Sequence, residues 1–294
     1  MTIFATKFNK SFCNDMKKTS ILLPLALIAV SLGSCSKGGQ DTDKLEIEEF
    51  QISQTIKTAD RNYRFMIDDD TIYFDVYTSI QWPDKLGHSD VKPLQDSIVA
   101  FCYGDTTGLL NSAISSFLSD TAVFKDMPLV HDIERVDSIP ESDRMRSYFS
   151  NSTASVMEIT EQFATYQVTL SSYLGGAHPY TAIFPFTYDL DSAKVLGIDD
   201  ILTNAGVDSV MPVIRGALAR QFEVPVEALD RAGIFTSQLN EPGRPYISGN
   251  VLYFHYNPYE IAPYSAGMID VAVYPYEVER WLRPEAKRLL ESNF

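Results

Sequence analysis

Few residues in this chain are spaced for chemistry. The four histidines, His88, His131, His178 and His255, form no H-x-x-x-H or H-E-x-x-H pair, so no zinc site is expected. Ser89-Asp90-Val91-Lys92 has the S-x-x-K spacing of serine acyl-transfer enzymes but lacks their S-D-N and K-T-G companions. Gly175-Gly176 is followed by neither G-K-[ST] nor G-x-G-x-x-G, which removes a phosphate loop. Carboxylates are abundant, with 39 Asp and Glu against 24 Lys and Arg. A glycan-cleaving acid and nucleophile are therefore compatible with the composition, and Glu260 and Asp270 are the pair to test, although nothing in the spacing singles them out. No cofactor or metal is expected.

The most specific motif lies near the start. Met16-Lys17-Lys18 precedes the apolar run Ile21 to Val30, the charged and hydrophobic regions of an export signal. The run is too short to span a membrane as a stable helix. It ends in Leu32-Gly33-Ser34-Cys35, which resembles a bacterial lipobox, with Cys35 as the acylated first residue of the mature protein. Residues 1–15 add nothing to such a signal, and Met16 is the more natural start. Removing the four lysines and one aspartate of residues 1–35 leaves 20 basic and 38 acidic residues, a net charge of −18 against −15 for the whole chain. That charge argues against a nucleic-acid partner; it serves solubility, and it is also compatible with a basic protein or cationic peptide as partner. With Cys35 acylated, Cys102 is the one thiol left, so the fold must rest on its core and not on a disulfide. Cys102 sits in the apolar run Ile98 to Tyr103, the setting of a buried structural cysteine.

Periodicity places the elements that would hold a site. Residues 36–49 are polar and charged and read as a tether. Phe50 to Ile56 alternates apolar and polar, Thr71 to Thr78 is rich in β-formers, and Asp68-Asp69-Asp70 makes the hairpin tip between them. Val91 to Tyr103 and Leu109 to Leu118 have helical spacing. Asp120 to Asn151 fits a helix or a long loop equally well. Strands are expected at Ala154 to Ile159, Tyr166 to Tyr173, Thr181 to Leu190, Val251 to Tyr256 and Ile269 to Val273. Asp199 to Leu202 reads as a short capped turn, and Asp208 is placed to cap a helix through Phe222 with Pro212 in its first turn. Residues 233–249 read as a loop, and Tyr276 to Leu290 as helix with a new segment at Pro284. Strands and helices are segregated, which predicts an α+β fold with antiparallel sheets and helices packed on one face. Two sequential subdomains, 50–165 and 166–294, are expected.

Two segments stand out: Ser172 to Pro179 (SYLGGAHP) and Phe254 to Gly267 (FHYNPYEIAPYSAG). With Phe186 to Leu190 and Gly197 to Leu202 between them, they resemble an extracytoplasmic domain family of unknown function. That family occurs in the lysozyme-sensing anti-sigma factor and as an accessory region of a secreted peptidoglycan deacetylase. The resemblance covers about residues 170–280, and the region before it is similar to the companion domain that usually precedes it. It implies a binding module without chemistry of its own, with Tyr173, Gly175, Gly176, His178, Tyr256, Tyr259, Glu260 and Tyr264 as ligand-binding candidates. The expected partners are the membrane, through lipid on Cys35, and a lysozyme-like basic protein or cell-wall glycan. An envelope hydrolase and a structural lipoprotein of an outer-membrane assembly are the alternatives. The expected address is the outer membrane, on its periplasmic or surface side. Seven Asp-Ser/Thr triplets, beginning at Asp70, Asp96, Asp105, Asp120, Asp137, Asp191 and Asp208, resemble the O-glycosylation sequon of exported Bacteroidetes proteins and point the same way.

Overall fold

The computed structural model describes residues 50–291 apart from Lys125, Asp126 and Pro128. The export signal, Cys35 and the tether lie outside the described residues. Two sheets organise the rest. The larger runs in the order β3-β1-β2-β4-β5-β6-β7, with β1 at Ile52–Ile67, β2 at Asp70–Leu86, β3 at Val130–Val136, β4 at Tyr148–Ile159, β5 at Phe163–Tyr173, β6 at Tyr180–Asp189 and β7 at Lys194–Val195. The smaller runs β10-β9-β8, with β8 at Arg244–Ser248, β9 at Val251–Tyr256 and β10 at Ile269–Val273. All neighbouring pairs are antiparallel except β2 with β4. The fold is α+β, as the segregation of strands and helices predicts.

The acidic tip closes the first hairpin as expected: Ile67 pairs with Asp70, and Asp68 takes a φ of +51°, a conformation short polar side chains tolerate. Helices α1 (Lys92–Tyr103) and α2 (Leu110–Ser119) cover one face of the larger sheet. Pro93 starts α1 without costing it a hydrogen bond, and Gly104, at φ +68°, ends it. Its buried stripe of Leu94, Ile98 and Cys102 meets Tyr166, Val168 and Phe186 from the strands. Phe101 stacks on Phe186 at 4.8 Å. Under α2, Phe124 packs between Phe65 at 4.7 Å and Phe74 at 5.0 Å. Burial pushes the Cys102 thiol up to about 12, against an opposing hydrogen bond from Ser152. That holds it as an inert thiol in this core.

The C-terminal part has its own core. Helices α3 (Ile198–Ile201), α4 (Asn204–Gln221), α5 (Pro275–Val278) and α6 (Pro284–Glu291) pack with the smaller sheet. The buried face of α4 is Val210, Ile214, Ala217 and Leu218. The two sheets meet at β5 and β6. Phe163 of β5 belongs to the C-terminal core, and the Thr165 hydroxyl donates to the Ile247 carbonyl at 2.6 Å while the Ile247 N–H donates to the Thr187 hydroxyl at 2.8 Å. Side-chain hydroxyls thus satisfy the backbone of edge strand β8. Strand β5 also crosses residues 165–166, so residues on either side of that position share one sheet.

Three local expectations change. The open stretch 120–151 contains strand β3, which pairs with β1; its side chains are mostly exposed, so it has no alternation to read. The expected loop 233–249 contains β8, whose proline and glycine neighbours mask a five-residue strand. Helix α4 begins at Asn204, with the Thr203 hydroxyl accepting from the Gly206 N–H at 3.3 Å, and Pro212 lies in its interior. Thr203 caps the helix because Gly206 lets the chain close on Trp281, where a Cβ would come within 2.6 Å of the Trp281 Cβ.

Candidate functional site

The site is built where the β5–β6 and β9–β10 connections meet at one end of the larger sheet. Strand β9 ends at Tyr256, and Asn257-Pro258-Tyr259-Glu260 form a turn closed by the Glu260 N–H to the Asn257 carbonyl at 3.1 Å. Proline in the second place is usual for such a turn, and the third place, which needs a positive φ, normally takes glycine. Here it is Tyr259, at φ +70°. A bulky residue held there costs about 1–3 kcal/mol and persists only where its surroundings impose it. Two contacts do so: the Tyr259 N–H donates to the Ala262 carbonyl at 3.0 Å, and its ring stacks 5.9 Å from that of Tyr264. The Tyr259 side chain stays exposed.

Tyr264 in turn stacks on His178 with ring centroids 3.8 Å apart. Its hydroxyl donates to the Pro179 carbonyl at 2.8 Å, tying the two connections together. His178 Nδ1 lies 2.9 Å from the same carbonyl, which can only accept, so Nδ1 carries a proton. In the neutral ring Nε2 is then an acceptor, and the Tyr259 hydroxyl faces it at 3.4 Å. On the other side of the loop the Tyr173 hydroxyl donates to the Gly176 carbonyl at 3.0 Å. Gly175 has to be glycine: at φ +87° it brings the chain so close to Tyr148 that a Cβ would lie 2.5 Å from the tyrosine oxygen.

Beneath this platform lies a hydrogen-bonded base. The Asn257 side chain accepts from the Ile183 N–H at 2.6 Å and donates to the Ile183 carbonyl at 3.0 Å, so its amide serves as the next strand beyond β6. That pairing fixes Asn257 Oδ1 as an acceptor. Buried His255 therefore faces acceptors on both sides, Asp270 at 2.8 Å from Nδ1 and Asn257 at 3.4 Å from Nε2. Glu260 accepts from the Asn257 N–H at 2.9 Å. Burial raises the Tyr180 hydroxyl, and the Glu260 charge adds to the shift.

The expected candidates are thus sorted by place. Tyr259, Tyr264 and His178 form one stack, Tyr173, Gly175 and Gly176 shape the loop beside it, and Glu260 braces the turn. Tyr256 is only 3% exposed and directed into the core, with its hydroxyl donating to the Glu241 carbonyl; burial pushes that hydroxyl up to about 12. Asp270 and Glu260 each hold a structural partner, His255 and the Asn257 N–H. No group of three or more His, Cys, Asp or Glu side chains suited to a metal occurs among the described residues. What the arrangement offers is a rigid aromatic contact surface, amphipathic and pre-ordered.

The Phe254 to Gly267 segment that builds the turn lies inside a stretch, residues 199–276, matched by the family model described as Protein of unknown function (DUF3298). Residues 199–276 form a DUF3298 domain. The crystal structure of a DUF3298 family member (BF2082) from Bacteroides fragilis NCTC 9343 resembles this chain with a TM-score of 0.61 at 17% identity, covering 83% of this chain and 100% of that one. A DUF3298 family protein (PA4972) from Pseudomonas aeruginosa PAO1 gives a TM-score of 0.48 at 15% identity, covering 81% and 97% respectively. No curated protein matches the chain. The likeness to the Bacteroides protein is one of fold. The DUF3298 domain supplies Tyr259 and Tyr264, whereas His178 comes from the β5–β6 connection ahead of it.

The strain at Tyr259 is directly measurable. Tyr259→Gly is expected to stabilise the protein by about 1 kcal/mol, a rise in melting temperature of about 3 °C. A lowered melting temperature in thermal denaturation would show that the stacking outweighs the strain.

Proposed function

We propose that this protein is a lipid-anchored module of the cell envelope, held through Cys35 at the outer membrane on its periplasmic or surface side, which binds a basic, lysozyme-like protein through the Tyr259–Tyr264–His178 platform. The observation that carries this reading is Tyr259 itself: an exposed aromatic side chain kept in a backbone conformation that favours glycine. Tyrosine is among the residues that dominate protein interfaces, because it offers large contact area with little conformational freedom to lose. The charge of −18 beyond residue 35 favours a cationic partner and speeds encounter with it.

The test is calorimetric titration of residues 36–294 with a basic lysozyme at low and moderate salt. Saturable binding at about 1 µM or tighter is expected, weakened but not abolished by salt. Tyr259→Ala is expected to weaken it at least about tenfold. Heat that disappears at moderate salt, or an unaffected Tyr259→Ala variant, rules the reading out.

A further inference from the structure

The outer edge of strand β1 is only partly covered. Strand β3 pairs with it from Asn62 to Ile67, and among the described residues no strand pairs with that side from Ile52 to Asp60. The direction of the peptide groups there follows from β2. Gln54 lies opposite Pro83, which has no N–H to give, and the Pro83 carbonyl accepts from the Gln95 side chain at 2.8 Å. Gln51, an odd number of residues away, turns its carbonyl inward to the Gly87 N–H at 2.8 Å. Alternation therefore directs the N–H and carbonyl of Ile52, Gln54, Ile56, Thr58 and Asp60 to the free edge.

Open edges are normally blunted by charge, by proline or by shortness. Both ends of the larger sheet follow that rule: β3 carries His131, Asp132, Glu134 and Arg135 within 7 residues, and β7 has 2 residues. The stretch Ile52–Asp60 does not. It holds no proline, and its two charges, Lys57 and Asp60, are of opposite sign. Its two isoleucines stand in solvent, Ile52 49% and Ile56 67% exposed.

We infer that this edge is a dimer interface, where β1 of a second copy pairs antiparallel over Ile52–Asp60 about a two-fold axis at Ile56. An antiparallel edge is self-complementary under such an axis, and the open length suits it. Ile52 begins the strand, and Val136 of β3 already lies opposite Asn62, so the second copy's strand ends where β3 takes over. The outward residues of the two copies then exchange about ten backbone hydrogen bonds. Register sets Ile56 against the second copy's Ile56 and Lys57 against the second copy's Thr55. Charge complementarity favours a second copy as the occupant. The Thr55 hydroxyl donates to Asp84 at 2.5 Å, so each Lys57 comes beside the second copy's Asp84, and the axis repeats the pair. Neither Lys57 nor Asp84 has an ion-pair partner among the described residues of its own chain. The interface is separate from the Tyr259 platform.

The experiment is sedimentation equilibrium of residues 36–294 at moderate salt. A monomer–dimer equilibrium with a Kd of about 100 µM or tighter is expected. Ile56→Lys, at an exposed position that leaves the core intact, sets two like charges against each other at the axis and is expected to weaken the dimer at least about tenfold. Lys57→Glu and Asp84→Lys are each expected to weaken it about fivefold, and the two together to restore it. Should Asp84→Lys fail to fold, Lys57→Glu with Asp84→Asn is expected to bind more tightly than Lys57→Glu alone. A monomer at all concentrations, as when residues before Phe50 or another protein's strand take the edge, overturns the inference. So does a dimer that Ile56→Lys leaves intact, or a charge reversal that its counterpart does not repair.

Discussion

Asn257→Ala is expected to destabilise the protein by about 3 kcal/mol and lower its melting temperature by about 9 °C. The side chain makes two hydrogen bonds to one residue of another strand, the Ile183 N–H and carbonyl, and also faces His255. Alanine leaves all three groups without that partner, and each buried polar group so exposed to an apolar surrounding costs about 1–3 kcal/mol. The loss is larger than for most surface substitutions because, among the described residues, no strand pairs with β6 at Ile183 on that side; an amide stands in for one. Local consequences go with the global one. The His178 and Tyr264 connections are joined through Pro179 just above this point, so their amides are expected to exchange faster in Asn257→Ala. Unchanged melting and exchange would mean that the aromatic stack alone fixes the platform.

Asp75→Asn is expected to stabilise the protein above pH 6 and to change little near pH 4. Burial raises the Asp75 carboxyl from its ordinary 3.8 to about 6, with Asp60 adding to the shift and Arg144 opposing it. The sign follows from proton uptake: between about pH 4 and 6 the folded state holds a proton that the unfolded chain has released, so stability falls as pH rises through that window. Above it the folded protein carries a charged, poorly solvated carboxylate at a cost of about 2 kcal/mol, allowing for the part of the side chain that meets solvent. Asparagine removes the charge and keeps the shape. Melting curves of both proteins are expected to differ by about 5 °C at pH 8 and to converge as pH falls towards 4. A gap independent of pH would place the effect in packing and not in ionisation.

The sequence carries much of this structure because several elements announce themselves by period or by a breaker. The β1–β2 hairpin, the stripe Leu94, Ile98, Cys102, and strands β5, β6, β9 and β10 are all legible in that way. Strand β3 is not, because both its faces meet solvent and no apolar alternation survives. Strand β8 is hidden by Pro242, Gly243 and Pro245, residues that ordinarily end a strand; its backbone is satisfied by threonine hydroxyls from another sheet, which no local pattern reveals. At the site, the tyrosines and glycines of Ser172 to Pro179 and Phe254 to Gly267 could be singled out as residues, but not their sorting. Tyr256 and Tyr259 are three positions apart, and only the turn at Pro258 sends one into the core and the other to the surface.

The last helix has a kinetic meaning. Arg288 pairs with buried Asp189 at 2.7 Å, with Asp191 at 3.0 Å, and donates to Gln162 at 3.1 Å, while Ala286, Leu289 and Leu290 complete the C-terminal core. The contacts reach back 99 residues to Asp189 and 126 to Gln162. Until residue 288 arrives, the Asp189 carboxylate of β6 has only the Asp191 N–H and the Ser192 hydroxyl as partners and no opposite charge, so this end of the larger sheet has a reason to stay open while the chain is being made. A polypeptide that closes late stays extended until its last helix has been made.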